Sequence, residues 1–196
     1  MVLYFIGNVI ATDVQEYRIC LALTSQTRLI QTMLIAMKNC DEELLRVLCW
    51  VASILMQYKV TPCISRTDVI QLCKIGFEGL MCNIMQADES VKSDSCWLFN
   101  YAFENEKWEL ISEIATPIIV LALTQAISSN DLQTSWPALR AVANLLCQEN
   151  AELVDKIIFH GIFDKMVAFS ELEPLNEAIL VEIAFCLSNI AAGTQH

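Results

Sequence analysis

A pattern that returns about every 45 residues constrains this chain more than any other feature of its sequence. Five similar short segments are spread along the 196 residues, and they begin at Tyr4, Trp50, Trp97, Arg140 and Phe185. Consecutive segments are therefore separated by 46, 47, 43 and 45 positions. A near-constant period of this size is typical of proteins built from stacked supersecondary units, each of which buries its apolar face against its neighbours. The sequence thus predicts a repeat protein rather than a domain with one central core.

The length of the period indicates the kind of repeat. Armadillo and HEAT repeats contain two or three helices in roughly 40–47 residues, whereas tetratricopeptide and ankyrin repeats are about ten residues shorter. The chain has only 5 glycines and 4 prolines, which favours long helices over a turn-rich β structure. We predict an all-α repeat protein of the armadillo or HEAT type, a right-handed superhelical solenoid of about four repeats that occupies residues 1–196 as a single segment. Groove helices are expected near residues 1–10, 41–57, 91–104, 135–147 and 176–192.

Each predicted groove helix has two faces of different chemistry. We call the first residue of each segment position 0 and place successive residues about 100° apart around the helix. Positions −2, +1, +2 and +5 then share one face, which is small and apolar, as stacking against neighbouring helices requires. Positions −3, 0 and +4 share the opposite face, and they hold Asp94, Trp97 and Tyr101 in the third helix and Glu182, Phe185 and Asn189 in the fifth. A core would not select carboxylates, amides and aromatic rings in one stripe, so we interpret this stripe as a binding surface.

The residue types in the stripe predict an extended peptide rich in lysine and arginine as the ligand. A ladder of aromatic rings forms slots for the aliphatic stems of these side chains, and cation–π attraction adds roughly 0.5–2 kcal/mol per contact. Carboxylates reach the charged tips, and an asparagine at position +4 can both donate to and accept from the peptide main chain. The net charge of −11, from 23 acidic and 12 basic residues, favours a cationic partner and opposes binding to nucleic acid.

Four of the segments resemble importin α (karyopherin α), the family of armadillo adaptors for nuclear localisation signals. The similar motifs are Gly-Asn-Val at residues 7–9, Ser-Cys-Trp at 95–97 with Tyr101, Pro-Ala-Leu-Arg-Ala-Val at 137–142 with Asn144, and Leu-Ser-Asn-Ile-Ala-Ala-Gly at 187–193. Their order and spacing are similar to those of the third to seventh repeats of the family. The resemblance implies an all-α armadillo-repeat solenoid. It also implies a receptor that binds lysine/arginine-rich nuclear localisation peptides in a concave groove for protein import into the nucleus. It also implies residence in cytoplasm and nucleus, and importin β as a further partner.

The resemblance also implies which residues would bind the peptide. They are Tyr4, Asn8, Asp13, Trp50, Asp94, Trp97, Tyr101, Arg140, Asn144, Glu182, Phe185 and Asn189. The first four would belong to the major site, where Asp13 would pair with the key lysine, and the last three would open the minor site. Three positions depart from the family: Tyr4 and Phe185 stand where it has tryptophan, and Ile54 stands where it has asparagine. The 196 residues also lack the basic segment that would bind importin β and the repeats that would flank these, so weak or lost cargo binding is expected as one alternative.

Two other interpretations remain open at this point. The chain could be an armadillo scaffold that does not read nuclear signals, or a truncated or degenerate importin-like protein. For single residues, Trp50 could serve only inter-helix packing, and Arg140 could pair with a neighbour such as Asp94 without excluding the groove. In a truncated protein, uncapped solenoid ends would favour self-association.

Catalysis is not predicted, because the sequence contains no glycine-rich phosphate loop, GxSxG or HExxH motif. No cofactor or metal is expected, since the nine cysteines are scattered through apolar runs and are interpreted as buried thiols of a reducing compartment. No signal peptide is apparent at the amino terminus. The longest uncharged run, residues 114–130, contains polar residues and a proline, so we expect a buried helix there rather than a membrane span.

Overall fold

The computed structural model describes residues 2–12, 28–57, 64–82, 89–148, 150–171 and 177–193. Every regular element within these ranges is an α-helix, as the sequence predicts. The helices are α1 (Val2–Thr12), α2 (Leu29–Met37), α3 (Glu42–Gln57), α4 (Arg66–Met81), α5 (Glu89–Asn105), α6 (Trp108–Ile114), α7 (Pro117–Ala126), α8 (Leu132–Leu146), α9 (Ala151–Phe159), α10 (Ile162–Ser170) and α11 (Glu177–Gly193). Helices α1, α3, α5, α8 and α11 carry the five repeated segments.

The chain divides into two compact units, residues 1–102 and 103–196. Each unit has fully buried apolar side chains of its own, for example Leu72 in the first and Leu123 in the second. The sequence-based assignment of all 196 residues to one continuous segment stays a prediction.

In the first unit, α3 lies at the centre and packs against α1, α2 and α4. Its residues Leu48, Val51 and Leu55 are fully buried. Gly79 allows α4 to approach α3 closely, because a Cβ at this position would lie 2.7 Å from the Sγ of Cys49 on α3. Helix α4 begins with a capping box in which the Ser65 hydroxyl and the Asp68 carboxylate each accept from the backbone N–H of the other residue, an arrangement that stabilises a helix by about 1 kcal/mol.

In the second unit, α8 packs against α7, α9 and α11. Helix α7 begins with Pro117 at its first turn, where the missing N–H costs nothing. Helix α9 is capped by the Asn150 side chain, which accepts from the Leu153 N–H at 2.8 Å. Gly161 has φ = 78° and joins α9 to α10, a left-handed conformation that glycine adopts without steric cost. Helices α8 and α11 pack directly against each other, and both carry predicted site residues.

Among the residues described, no single helix is long and apolar enough to cross a membrane. The consecutive helices α6 and α7 would meet that criterion only as a pair, and they are bent by 81° at their junction. In the structure, α7 buries Ile119, Val120 and Leu123 within its unit.

Candidate functional site

Tyr4 on α1 and Trp50 on α3 are the first two residues of the predicted ladder, and their rings contact each other. The ring centroids are 6.0 Å apart and the planes are tilted by 43°. Gly7, one turn after Tyr4, is buried beneath the indole, and a Cβ at this position would lie within 2.9 Å of several Trp50 ring carbons. The glycine therefore allows α1 and α3 to approach until their position-0 rings touch.

The face of the Tyr4 ring is already covered by a cation that belongs to this chain. The Cζ atom of Arg46 lies 5.8 Å from the centroid of the ring, and its Nη2 donates a hydrogen bond to the Tyr4 hydroxyl. Arg46 is on α3, four residues before Trp50. The geometry shows that this ring can hold a guanidinium group, and also that an incoming basic side chain would compete with Arg46 for it.

An open recess of about 480 Å³ lies beside Tyr4. Its lining combines the apolar residues Val2, Leu3, Leu44 and Val47 with Tyr4 and with the carboxylates of Asp41 and Glu43. Asp41 also accepts from the backbone N–H of Leu44 at 2.9 Å, at the start of α3. An apolar lining with acidic groups suits a side chain with an aliphatic stem and a cationic tip. The repeat pattern of the sequence does not identify Asp41, Glu43 or Arg46, because none of them occupies a ladder position.

Trp97 and Tyr101 form the aromatic part of the site on α5. Their rings are stacked, with centroids 5.6 Å apart and an interplanar angle of 22°. Both side chains are half-buried, as is Asp94 one turn earlier on the same helix. The two rings together present a larger apolar surface than either could alone, next to a carboxylate on the same helix.

In the second unit, two residues of the stripe, at position 0 of α8 and position −3 of α11, form an ion pair. The Nε of Arg140 on α8 lies 3.8 Å from Oε2 of Glu182 on α11, and the side chains are 38% and 21% exposed. Desolvation raises the pKa of Glu182, while Arg140 lowers it and the nearby carboxylate of Glu104 raises it further. A partly exposed pair at this distance contributes little to stability, but it places the charge of Arg140 against a carboxylate of the chain itself.

The remaining predicted residues of α11 have different surroundings. Phe185 is exposed on the helix surface, so its ring is accessible to the stem of a ligand side chain. Asn189, one turn later, donates from Nδ2 to the Sγ of Cys147 at 3.2 Å. Burial raises the pKa of this thiol, and the hydrogen bond from Asn189 lowers it. The Asn189 amide thus has a weak intramolecular acceptor that a peptide carbonyl could replace.

The structure therefore brings the predicted residues together in pairs: Tyr4 with Trp50, Trp97 with Tyr101, and Arg140 with Glu182. Asn8 is exposed and Asn144 is half-buried on their helices, whereas Asp13 lies outside the described residues. Ile54, which stands where the similar family has asparagine, is buried in the first unit. Among the described residues, no group of three or more histidine, cysteine, aspartate or glutamate side chains is arranged to hold a metal ion.

No family model and no curated protein matches this chain. Solved structures do match it. A designed armadillo repeat protein in complex with the peptide (KR)4 has a TM-score of 0.75 and 16% identity, over 98% of this chain and 75% of that one. A computationally designed armadillo repeat protein for modular peptide recognition has a TM-score of 0.77 and 15% identity, over 98% and 75% of the two chains. An engineered protein has a TM-score of 0.62 and 10% identity, over 97% and 92%. Likeness at this level of identity shows the fold alone, and it confirms that the chain has the all-α armadillo-repeat fold.

Proposed function

We propose that this protein is a receptor for extended peptides rich in lysine and arginine, and that its natural ligands are nuclear localisation signals of proteins carried into the nucleus. The observation that carries the proposal is the cation at the first ladder position. There the ring of Tyr4 holds the guanidinium of Arg46, beside a recess that Asp41 and Glu43 make acidic. A side chain of this chain thus makes the contact that a ligand side chain would make.

The mechanism is binding without catalysis. Lysine or arginine stems pack against the rings of Trp50, Trp97 and Tyr101, and their tips reach carboxylates such as Asp94. Asparagine amides hold the peptide main chain, as Asn189 can do when it exchanges the Cys147 thiol for a peptide carbonyl. The charge of −11 attracts cationic peptides at long range and makes their binding sensitive to salt.

Two further observations support this function. A designed protein with the same fold binds the peptide (KR)4, so the armadillo architecture is compatible with a basic ligand. The motifs at residues 95–101 and 137–144 resemble those of importin α. On that resemblance we propose a nuclear import adaptor that moves between cytoplasm and nucleus and that is coupled to importin β through a segment other than these 196 residues.

An armadillo scaffold that does not read nuclear signals is the second candidate function. This function is favoured where residues at predicted peptide-binding positions make contacts within the chain instead. Arg140 pairs with Glu182, and Ile54 is buried where an amide would be needed to hold a peptide main chain. A scaffold would retain the apolar stacking of the helices and lose affinity for basic peptides.

A titration with a fluorescent lysine-rich nuclear-signal peptide distinguishes the two functions. We expect fluorescence anisotropy to give a dissociation constant on the order of micromolar, weakened by added salt and absent for a peptide in which glutamine replaces lysine. Trp97→Ala should weaken binding. The matched control is Trp108→Ala, a tryptophan outside the ladder on α6, which should leave binding unchanged. If the folded protein does not bind the peptide at low salt, the receptor proposal is wrong and the scaffold remains.

Nuclear import itself needs a separate experiment. Cargo that carries the same peptide should accumulate in the nuclei of permeabilised cells when this protein and importin β are added together. If the peptide binds but import does not follow, the protein is a basic-peptide receptor with another role.

A further inference from the structure

Helix α8 keeps one line of accessible side chains on an otherwise buried surface. From Thr134 to Leu146, every residue is buried except Trp136, Arg140 and Asn144, which are half-buried. These three residues are four positions apart, so they lie one turn after another on the same side of the helix. Arg140 and Asn144 are predicted site residues, whereas Trp136 occupies position −4, which the repeat pattern of the sequence does not mark. The structure thus adds a tryptophan to the accessible line of the second unit.

The accessible line of α8 has apolar side chains at its amino-terminal end. Leu132, one turn before Trp136, is 46% exposed. Leu132 and Trp136 give the amino-terminal half of the line an apolar surface, while Arg140 and Asn144 make the other half polar. Because a tryptophan combines a large apolar area with only two side-chain torsions, it can hold a ligand side chain at a low cost in conformational entropy.

Two contacts define how α8 and α11 lie side by side in the second unit. The first is the ion pair of Arg140 with Glu182, and the second is the hydrogen bond between Cys147 and Asn189. In each contact the two residues are 42 positions apart in the sequence. The contacts are separated by seven positions, about two helical turns, on either side, so both belong to one parallel register of the helices.

Continued one turn toward the amino ends of the helices, the same register places Ala178 of α11 beside Trp136. Ala178 is exposed, and its methyl group is too small to fill the space beside the indole. We call this space the Trp136 slot. The indole forms one wall, Ala178 forms the other, and the ion pair of Arg140 and Glu182 lies at the carboxyl-terminal end.

The charges around the Trp136 slot favour an apolar occupant over a lysine. Arg140 lies one turn from Trp136 and would repel an ammonium group placed on the indole. Glu182 would attract that group, but its carboxylate already pairs with Arg140 at 3.8 Å. The nearby carboxylate of Glu104 is exposed, so solvent screens it. A lysine would therefore leave water with little electrostatic return, whereas an aliphatic side chain loses no charge hydration and buries apolar area.

We propose that Trp136 is a specificity-determining residue that holds one aliphatic side chain of the ligand. The inference rests on the proposed function and refines it, since the preferred ligand becomes an extended basic peptide that also carries a residue such as leucine. The aromatic pairs of the first unit then serve the basic residues, and the Trp136 slot of the second unit serves the apolar one.

A leucine scan of the peptide tests the proposal with the whole chain. The reference peptide has a lysine-rich segment with serines between and on both sides of the lysines. Each member of the scan carries leucine in place of one serine, so the charge stays constant. At one position the leucine should tighten binding about fivefold, as expected when about half of its side chain is buried. Fluorescence anisotropy gives the ratio of the dissociation constants for the serine and leucine peptides, and this ratio reports on the slot.

Variants on both walls connect that ratio to the Trp136 slot. Trp136→Ala should reduce the gain to less than about twofold, and Trp136→Phe should keep most of it because a ring remains. Ala178→Phe should also remove the gain, since it fills the slot from the opposite wall while Trp136 stays in place. The matched control is Trp108→Ala, a half-buried tryptophan of the same unit on α6, which should keep the full gain. Circular dichroism spectra that match the wild type show that the variants are folded.

Fluorine NMR of protein labelled with 5-fluorotryptophan locates the leucine directly. The chain has four tryptophans, and the resonance missing from the spectrum of Trp136→Phe belongs to Trp136. The leucine peptide should shift this resonance more than the serine peptide does.

Three results would overturn the proposal: no position at which leucine tightens binding, a Trp136→Ala variant that keeps the full gain, or a lysine at the same position that gives a larger gain than leucine at high salt. If the serine peptide binds and depends on Trp97 but leucine adds nothing, the receptor function stands and only the role of Trp136 is wrong. If no peptide of the scan binds to the folded protein, both proposals are wrong.

Discussion

The polar stripes of the two units use the same helical positions for different chemistry. In the first unit the stripe consists of aromatic pairs, Tyr4 with Trp50 and Trp97 with Tyr101. In the second unit the stripe contains the ion pair of Arg140 and Glu182 and an exposed ring, that of Phe185. The repeat backbone thus fixes where a ligand side chain would lie, while the residues at positions 0 and +4 determine what it would meet. We expect the first unit to provide most of the affinity for basic peptides.

The largest expected effect is on peptide affinity when the aromatic surfaces of the two units are removed in turn. Trp97→Ala should weaken binding of a lysine-rich peptide by about 2 kcal/mol, as is typical for a tryptophan at the centre of an interface. Phe185→Ala should cost less than about 0.7 kcal/mol, because an exposed phenyl ring offers less area and a weaker cation–π contact. Isothermal titration calorimetry measures both. Equal losses would show that the two units contribute alike.

The next effect concerns stability and the approach of α1 to α3. Gly7→Ala should destabilise the protein by about 1–3 kcal/mol, because the added Cβ overlaps the Trp50 indole. The matched control is Gly76→Ala, where the closest atom, in the Leu98 side chain, would lie 3.1 Å from the Cβ and the overlap is much smaller. Both substitutions gain the same helix propensity, so the difference between their urea unfolding curves isolates the contact. If Gly7→Ala lowers the free energy of unfolding no more than Gly76→Ala does, the close contact between Trp50 and α1 does not contribute to stability.

A smaller effect, of opposite sign, is expected when the intramolecular cation is removed from Tyr4. Arg46→Gln should strengthen binding of a lysine-rich peptide by about fivefold, since it frees a contact worth roughly 1 kcal/mol. Lys74→Gln removes the same charge from an exposed position on α4 and measures the purely electrostatic gain. Fluorescence anisotropy with the two variants gives the comparison. If they gain equally, Arg46 does not occupy a ligand site.

The smallest effect is a pH dependence of stability that differs in sign between two carboxylates of the second unit. Burial raises the pKa of Glu182 above its ordinary value of 4.5, so the folded state holds this proton more tightly than the unfolded state. The free energy of unfolding should therefore fall as the pH rises from about 4.5 through the raised pKa. Glu182→Gln should remove that decrease.

Glu152 provides the opposite case. The ammonium group of Lys156 lies 2.7 Å from the Glu152 carboxylate and lowers the pKa of Glu152. The contribution of Glu152 to the free energy of unfolding is therefore present above pH 4.5 and is lost as the pH falls through the lowered pKa. Thermal unfolding of the wild type, Glu182→Gln and Glu152→Gln between pH 3 and pH 6 measures both. Curves of the same slope for the two variants would contradict the assignments.

The helical fold and the phase of its faces could be read from the sequence, because an α-helix places residues three and four apart on one side whatever lies around it. The period predicted a repeat of the armadillo or HEAT type, and the solved structures confirm the armadillo fold. The stacking face was also predictable, as its positions are apolar in every groove helix apart from Ser95, and they are buried in α3, α5 and α8. The role of Ile54 was harder to assess. The sequence shows only that the asparagine of the similar family is missing, whereas the structure shows that Ile54 is buried and packs in the first unit.

What the sequence by itself determined is therefore local: which residues form helices, and which of them share a face. The tertiary structure decided which faces meet. Arg46 covers Tyr4 across 42 positions of sequence, and Asn189 contacts Cys147 across another 42. No periodicity indicates these pairs, because each depends on the distance and rotation between two helices, which the packing of their side chains sets.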